Sequence, residues 1–195
     1  MISSSKTTSH EVKNLKNRAL KAASFLLSTR NADSLSLRAI ADEAGIGITS
    51  MYHYFDSKEA LLLELAQRGF RDLEDVLRTK SNDPAINSPI RGGARAFLDF
   101  AQEHPALFSL MFDEQLLARQ PALREAETRA YQVYDAAVST DDSIAPEHRS
   151  NVATALWVLG RGMAATLSSY PDRRPPEEVV AKLFAGAVYL IRPFA

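Results

Sequence analysis

Seven consecutive residues, Ile48-Thr49-Ser50-Met51-Tyr52-His53-Tyr54, carry two hydroxyls, an imidazole and two phenols, with Arg38 upstream and Lys58 just beyond. Short polar side chains at this density suit hydrogen bonding to base edges from a helix laid in a major groove. Flanking cations suit phosphate or guanine. The same residue types could also serve catalysis, but the companions are missing. His10, His53, His104 and His148 are scattered, with no His-x-x-x-His pair. There is no cysteine, no Gly-x-Gly-x-x-Gly, no phosphate loop and no nucleophile elbow. The expectation is therefore not an enzyme, with neither a cofactor nor a metal.

The polar run must be held by a rigid frame. Ser36 precedes Leu37-Arg38-Ala39-Ile40-Ala41-Asp42-Glu43-Ala44, which reads as a short helix with a good N-cap. Ala44-Gly45-Ile46-Gly47 then joins it to a second short helix, about Ile48 to Tyr54. So tight a turn makes the helices cross steeply, and glycine at 45 lets the chain reverse. Ile40, Ala41, Ala44, Ile46, Met51 and Phe55 supply the inner face. Before this pair, a helical stripe runs from His10 to Arg30 through Val12, Leu15, Ala19, Ala22, Ala23, Leu26 and Leu27, with Asn31 suited to its end. After it, Asp56 with Glu59 reads as a capping box opening a helix to about Thr79.

This stretch resembles the N-terminal domain of the TetR/AcrR family of transcription regulators. The resemblance rests on Ser36-Leu37-Arg38-Ala39-Ile40-Ala41-Asp42-Glu43-Ala44-Gly45-Ile46, on Met51-Tyr52-His53-Tyr54-Phe55 and on Asp56-Ser57-Lys58-Glu59-Ala60-Leu61, with Ala22-Ala23-Ser24-Phe25-Leu26 ahead of them. It depends on long, fixed spacing rather than on a bare helix-turn-helix. Three positions depart from the family pattern: Asn31 replaces a Gly, Gly47 replaces a Ser or Thr at the recognition-helix cap, and Thr49 replaces a smaller residue. The last two bear on which operator is read.

The resemblance implies a double-stranded operator DNA partner, a homodimer, and residue roles. Ser36, Tyr52 and Lys58 would contact phosphate, and Arg38 would reach a base edge. Gly47, Ile48, Thr49, Ser50, His53 and Tyr54 would face bases or the sugar-phosphate wall. Plainer roles remain open: half-buried packing for Tyr52, a solvated charge for Lys58, a passive surface for His53.

Downstream, prolines at 105, 121, 146 and 171–176 punctuate helices fitting about 90–104, 105–118, 121–139, 147–169 and 176–192. Phe97, Phe100, Phe108, Met111, Phe112, Tyr131, Tyr134 and Trp157, with Arg161 one turn further, form the candidate site for an unknown small-molecule effector. Ordinary core packing is the competing account of the aromatics. His104 to Phe112 and Ala155-Leu156-Trp157-Val158-Leu159-Gly160-Arg161-Gly162 resemble a subclass with Trp-x-x-x-His-Gly, Arg161 standing in the histidine position. A cation there needs a partner, either an anionic ligand group or an Asp or Glu. The last two helices carry more apolar surface than one core-facing stripe requires, Val179, Leu183, Phe184, Ala187, Val188, Leu190 and Ile191 among it. A four-helix subunit interface would cover the excess.

Composition fits this reading. Hydrophobic residues make up 46% of the 195, and net charge is −1. Residues 1–58 hold eight Lys/Arg against five acids, an excess of +3, while residues 59–195 hold fifteen against nineteen, −4. The basic part is the one with the motif. No apolar run of eighteen residues and no secretory-type start are present, so a cytoplasmic protein away from membranes is expected. The expected architecture is all-α: an arm at 1–9, a three-helix helix-turn-helix DNA-binding domain at 10–58 and a helical ligand-binding and dimerisation domain at 59–195. A DNA-packaging protein is disfavoured by the acidic second part, and a ligand carrier with a vestigial DNA domain remains an alternative.

Overall fold

A computed structural model describes residues 3–30, 32–83, 85–86, 88–170 and 175–191, with side chains from residue 14 onward except at 33, 184 and 187–191. The described residues are helical, without a strand. They form two compact units, Met1–Arg68 and Gly69–Ala195.

The first unit contains α1 (Ser3–Thr29), a 3-10 turn (Ala32–Ser34), α2 (Leu37–Ala44), α3 (Ile48–Tyr54) and the start of α4 (Lys58–Ser81). α1 begins at Ser3, so the helix takes in most of the stretch expected to be an arm. Neither Gly nor Pro interrupts residues 3–29, and an apolar stripe that holds a helix further on lets it extend backward at little cost. Asn31, expected to end this helix, lies outside the described residues.

The core of this unit is the face predicted from spacing. Ala19, Ala22, Ala23, Leu26 and Leu27 of α1 are buried, with Leu37, Ile40 and Ala41 of α2, Met51 of α3, and Phe55. Leu61, Leu62, Leu65 and Ala66 of α4 are buried as well. Polar ties join α1 to α4: Lys16 pairs with Glu64 at 2.7 Å, and Arg68 Nη1 donates to Asn17 Oδ1 at 3.2 Å. The ammonium of Lys16 also stands 5.6 Å from the centre of the Phe55 ring. The cap of α4 differs from expectation by one residue. Ser57 Oγ, not Asp56, accepts from the Ala60 N–H, at 3.1 Å. That places Glu59 in the first turn, where the helix N–H groups favour a negative charge.

The second unit holds the rest of α4 and α5 (Pro89–Glu103), α6 (Pro105–Met111), α7 (Glu114–Arg119), α8 (Pro121–Val138), α9 (Arg149–Ser168) and α10 (Glu177–Ile191). The stretch 105–118, expected as one helix, is two. Asp113 breaks it by accepting from the Leu116 N–H at 2.8 Å and capping α7. The glycine pair Gly92-Gly93 is a packing device. A Cβ at 92 would come within 2.4 Å of the Lys80 carbonyl, and one at 93 within 2.7 Å of the Tyr134 ring. Asp141 pins the α8–α9 connection to the start of α5, accepting from Ser88 Oγ at 2.7 Å and from the Ile90 N–H at 3.2 Å.

Candidate nucleic-acid interface and effector groove

α2 and α3 form a helix-turn-helix pair in which both ends of α2 are met by local hydrogen bonds. Ser36 Oγ accepts from the Ala39 N–H at 3.1 Å and starts α2. Gly45 stops it with φ +61°, the left-handed region open to glycine, its N–H directed at the Ala41 and Asp42 carbonyls. Ile46 turns inward and is buried. α3 then buries Met51 completely, and Phe55 follows as its buried terminator.

With those anchors inside, the opposite face of α3 is turned out. Ile48 is 37% exposed and Tyr52 58%, which removes packing as the role of the Tyr52 ring. Thr49 and His53 are exposed, Ser50 and Tyr54 half-buried. The rings of His53 and Tyr54 meet edge to face at 5.4 Å. Thr49, Ser50, Tyr52, His53 and Tyr54 together line one shallow depression. Arg38 and Ser36 are exposed on α2. Lys58 is half-buried, its ammonium 3.5 Å from the Ala32 carbonyl. Gly47 caps α3 without a side-chain hydrogen bond, and a Cβ there would meet nothing within 4 Å.

In the second unit the nine candidate effector residues separate. Phe97, Phe108, Phe112 and Trp157 form a contiguous aromatic cluster, with Phe97–Phe108 at 5.4 Å, Phe97–Trp157 at 5.0 Å and Phe108–Phe112 at 4.6 Å between ring centres. Tyr131 and Tyr134 adjoin Trp157 at 5.7 and 6.2 Å. Tyr131 also shares a 2.8 Å hydrogen bond with Thr154. Phe100 lies against His104 at 5.0 Å, and Met111 is fully buried, at the position where a Cβ on Gly69 would strike its sulfur.

An open groove of about 500 Å³ is bordered by Phe108 and Phe112, by Glu114, and by Val158, Arg161 and Ala165 of α9. Thus Phe108, Phe112 and Arg161 border the groove, Phe108 with little exposed surface, whereas the buried Phe97, Trp157 and Tyr134 do not line it.

Arg161 has a protein partner. Its Nη1 donates to Glu127 Oε1 at 3.2 Å, while Arg124 Nη1 donates to Glu127 Oε2 at 2.6 Å. The guanidinium also lies 4.8 Å from the centre of the Phe112 ring. A carboxylate is thus one partner that Arg161 does have. Burial pushes the Tyr134 hydroxyl far above its ordinary range, and the Asp141 charge adds to this. Burial would likewise raise Asp141, but hydrogen bonds from Ser143, Ser88 and the Ile90 N–H outweigh it and hold the carboxyl below its usual value.

A family described as bacterial regulatory proteins of the tetR type matches residues 19–65, and one described as the tetracyclin repressor-like C-terminal domain matches residues 90–187, half of the chain. The chain belongs to the TetR family. It is a DNA-binding regulator of transcription. Among similar proteins, the HTH-type transcriptional regulator EthR of Mycolicibacterium smegmatis is 29% identical over 177 residues, covering 84% of this chain and 80% of the relative. The HTH-type transcriptional repressor KstR of Rhodococcus jostii is 27% identical over 134 residues, covering 69% of this chain and 55% of the relative. The fold is similar to that of a transcriptional regulator from Aquifex aeolicus VF5, with TM-score 0.66 at 16% identity over 91% of this chain and 99% of the other.

Two residues of this TetR-family chain were not singled out by sequence. Arg18 Nη2 donates to the carbonyls of Ala44 at 2.7 Å and Gly45 at 3.0 Å. Glu127, only 6% exposed, is the shared partner of two arginines. An arginine in an amphipathic helix carries no local mark of its partner. A Glu buried on the apolar stripe of α8, beside Leu123, Ala126 and Ala130, does carry such a mark, because a carboxylate there demands a cation.

Proposed function

We propose that this regulator is a homodimeric repressor that occupies a near-palindromic operator and is released from it by a small apolar molecule. The observation that carries the reading is the outward face of α3, where Ile48, Thr49, Tyr52 and His53 are exposed over a helix anchored by buried Met51 and Phe55. A rigid helix with polar and small apolar groups on its free face is what base-edge readout requires. Arg38 reads a base, Ser36, Tyr52 and Lys58 hold phosphates, and the open space at Gly47 leaves room beside the DNA. Ser36 can do so while capping α2, since its hydroxyl hydrogen is not used in accepting from Ala39.

The effector lies in the groove at Phe108, Phe112 and Arg161, whose size fits a small ligand. Phe97 and Trp157 pack against the groove residues Phe108 and Phe112 from inside, and with Phe100, Met111, Tyr131 and Tyr134 they meet the effector only if this packing opens. An anionic group on the effector has to compete with Glu127 for Arg161. The subunits pair through α9 and α10, whose exposed residues include Ala155 on α9 and Ala181, Ala185 and Gly186 on α10; Val158, Gly162 and Ala165 of α9 also line the groove, which puts the effector beside the subunit seam. The side chains of Phe184, Ala187, Val188, Leu190 and Ile191, also expected there, lie outside those described. The run Trp157 to Gly162 supports a relation to the Trp-x-x-x-His-Gly subclass, and the site of action is the cytoplasm. α4, which begins in the first unit and ends in the second, is the element that carries the signal. The effector must bind the non-operator state more tightly, and a coupling of about 1–3 kcal/mol weakens DNA binding roughly 5–150-fold.

Selection from random duplexes tests the first half and should return inverted repeats with half-sites about 34–36 Å apart or somewhat more. Asymmetric single sites contradict it. A thermal-shift ligand screen followed by operator titration tests the second. Ligands that bind the groove without changing operator affinity contradict release.

A further inference from the structure

The turn between α2 and α3 is flanked by glycines, and its local ties are backbone bonds back to α2, from the Gly45 N–H to the Asp42 carbonyl at 3.2 Å and from the Ile46 N–H to the Ala41 carbonyl at 2.9 Å. Gly45 is in the left-handed region, Gly47 is extended, and Ile46 is the one residue between them with a side chain to anchor. Gly47 offers α3 no side-chain cap. A connection of this composition carries high conformational freedom, and its two glycines set the angle at which α3 is presented.

Arg18 closes this gap from α1, more than twenty residues away in sequence. A single nitrogen, Nη2, donates to the Ala44 carbonyl at 2.7 Å and to the Gly45 carbonyl at 3.0 Å. These are carbonyls at the end of α2, which the helix cannot itself satisfy. The fit is close, since a Cβ on Gly45 would stand 3.1 Å from the same Nη2. The packing of α1 on α2 does not need this arginine. Ala19, Ala22, Ala23 and Leu26 meet Leu37, Ile40 and Ala41 in a buried apolar contact, whereas Arg18 is exposed.

We infer that Arg18 is a positioning residue for operator recognition, holding the glycine-flanked turn so that α3 meets DNA at one fixed angle. The inference rests on the DNA-binding reading of α3. Arg18 itself touches no base or phosphate. Its contribution is to the fraction of molecules already in the docking geometry. If loss of the clamp leaves each copy competent about a third of the time, a two-copy complex binds roughly tenfold more weakly.

The test compares full-length wild type, Arg18→Met and Arg18→Lys. Amide hydrogen exchange in the free protein reads the turn without DNA. Faster exchange at Gly45, Ile46 and Met51, whose N–H groups are bonded to the Asp42, Ala41 and Gly47 carbonyls, is expected in Arg18→Met with an unchanged melting temperature. On the duplex selected by the wild type, Arg18→Met should lose about tenfold in affinity and part of its preference over a scrambled duplex. Its salt dependence should keep the wild-type slope, because no phosphate contact is lost. Arg18→Lys, which can still donate to one carbonyl, should recover most of the loss. Unchanged exchange overturns the clamp even where DNA binding is intact. Affinity within twofold of wild type overturns its role in recognition. A slope lower by about two units per dimer makes Arg18 a phosphate contact instead. A large fall in melting temperature in both variants makes it merely structural.

Discussion

Arg161 and Glu127 are joined across α9 and α8 by a 3.2 Å hydrogen bond, with the guanidinium laid over the Phe112 ring at the edge of the groove. Glu127 is nearly fully buried, and its other oxygen is held by Arg124. Glu127→Ala should therefore lower stability by about 1–2 kcal/mol, less than a fully buried pair because both arginines reach solvent. Denaturant unfolding measures this. Arg161→Ala should leave binding of uncharged groove ligands within a few-fold. If it also leaves anionic ligands unaffected, Arg161 serves Glu127 alone.

Phosphate contacts carry no sequence information, so Lys58→Ala and Tyr52→Phe should weaken binding to all duplexes alike. Lys58 must leave the Ala32 carbonyl, 3.5 Å away, to reach DNA, a minor cost for so long a contact. Its loss should reduce the salt slope by about 0.9 per half-site. An unchanged slope in a titration from low to moderate salt would remove Lys58 from the interface.

Gly45 and Gly47 should respond oppositely to substitution. Gly45→Ala forces a side chain into φ +61° against Arg18 and should cost about 1–2 kcal/mol. Gly47 has φ −60° with open space, so Gly47→Ala should stabilise by about 0.4–1 kcal/mol. Melting the two variants decides this. If Gly47→Ala is stable yet binds operator poorly, the missing side chain serves the DNA.

Among the described residues, the buried Tyr134 hydroxyl has no hydrogen-bond partner. Tyr134→Phe should leave stability unchanged or raise it by about 1 kcal/mol, since an unsatisfied buried donor is removed. A loss of stability by thermal unfolding would reveal a partner for the hydroxyl. A loss of effector affinity alone would place the hydroxyl on the ligand.

Burial works against the Asp141 charge, but hydrogen bonds from Ser143, Ser88 and the Ile90 N–H hold its carboxyl below the ordinary carboxylate value, so the native state favours the charged form. The stability this contributes is full above the unfolded value and is lost as pH falls through the lower folded value. Asp141→Asn should cost about 1–3 kcal/mol at neutral pH, with the difference from wild type shrinking below about pH 4. A difference that stays constant down to pH 3 would show that charge is not the cause.

What the sequence determined by itself is the local grammar. Ser36 before Leu37 and Gly45 after Ala44 bound α2 where expected, and the ends of α3 also fall as read, because caps and stops act within a few residues. The spacing of Ile40, Met51 and Phe55 likewise chose the buried side, which left Tyr52 and His53 outside. Where two neighbours compete for one local role, short-range signals leave the choice open. Asp56 and Ser57 could each open α4, and the hydroxyl took the cap. Asp113, read as helix interior, divides α6 from α7. Only the tertiary structure decided which aromatics fill the core and which border the groove, since Phe97 and Phe108 look alike along the chain. It alone brought Arg18 to the turn 26 and 27 residues on, and Arg161 to Glu127, 34 residues back. Such pairings depend on how whole helices pack, and a charged side chain in an amphipathic helix does not encode which distant group it will meet.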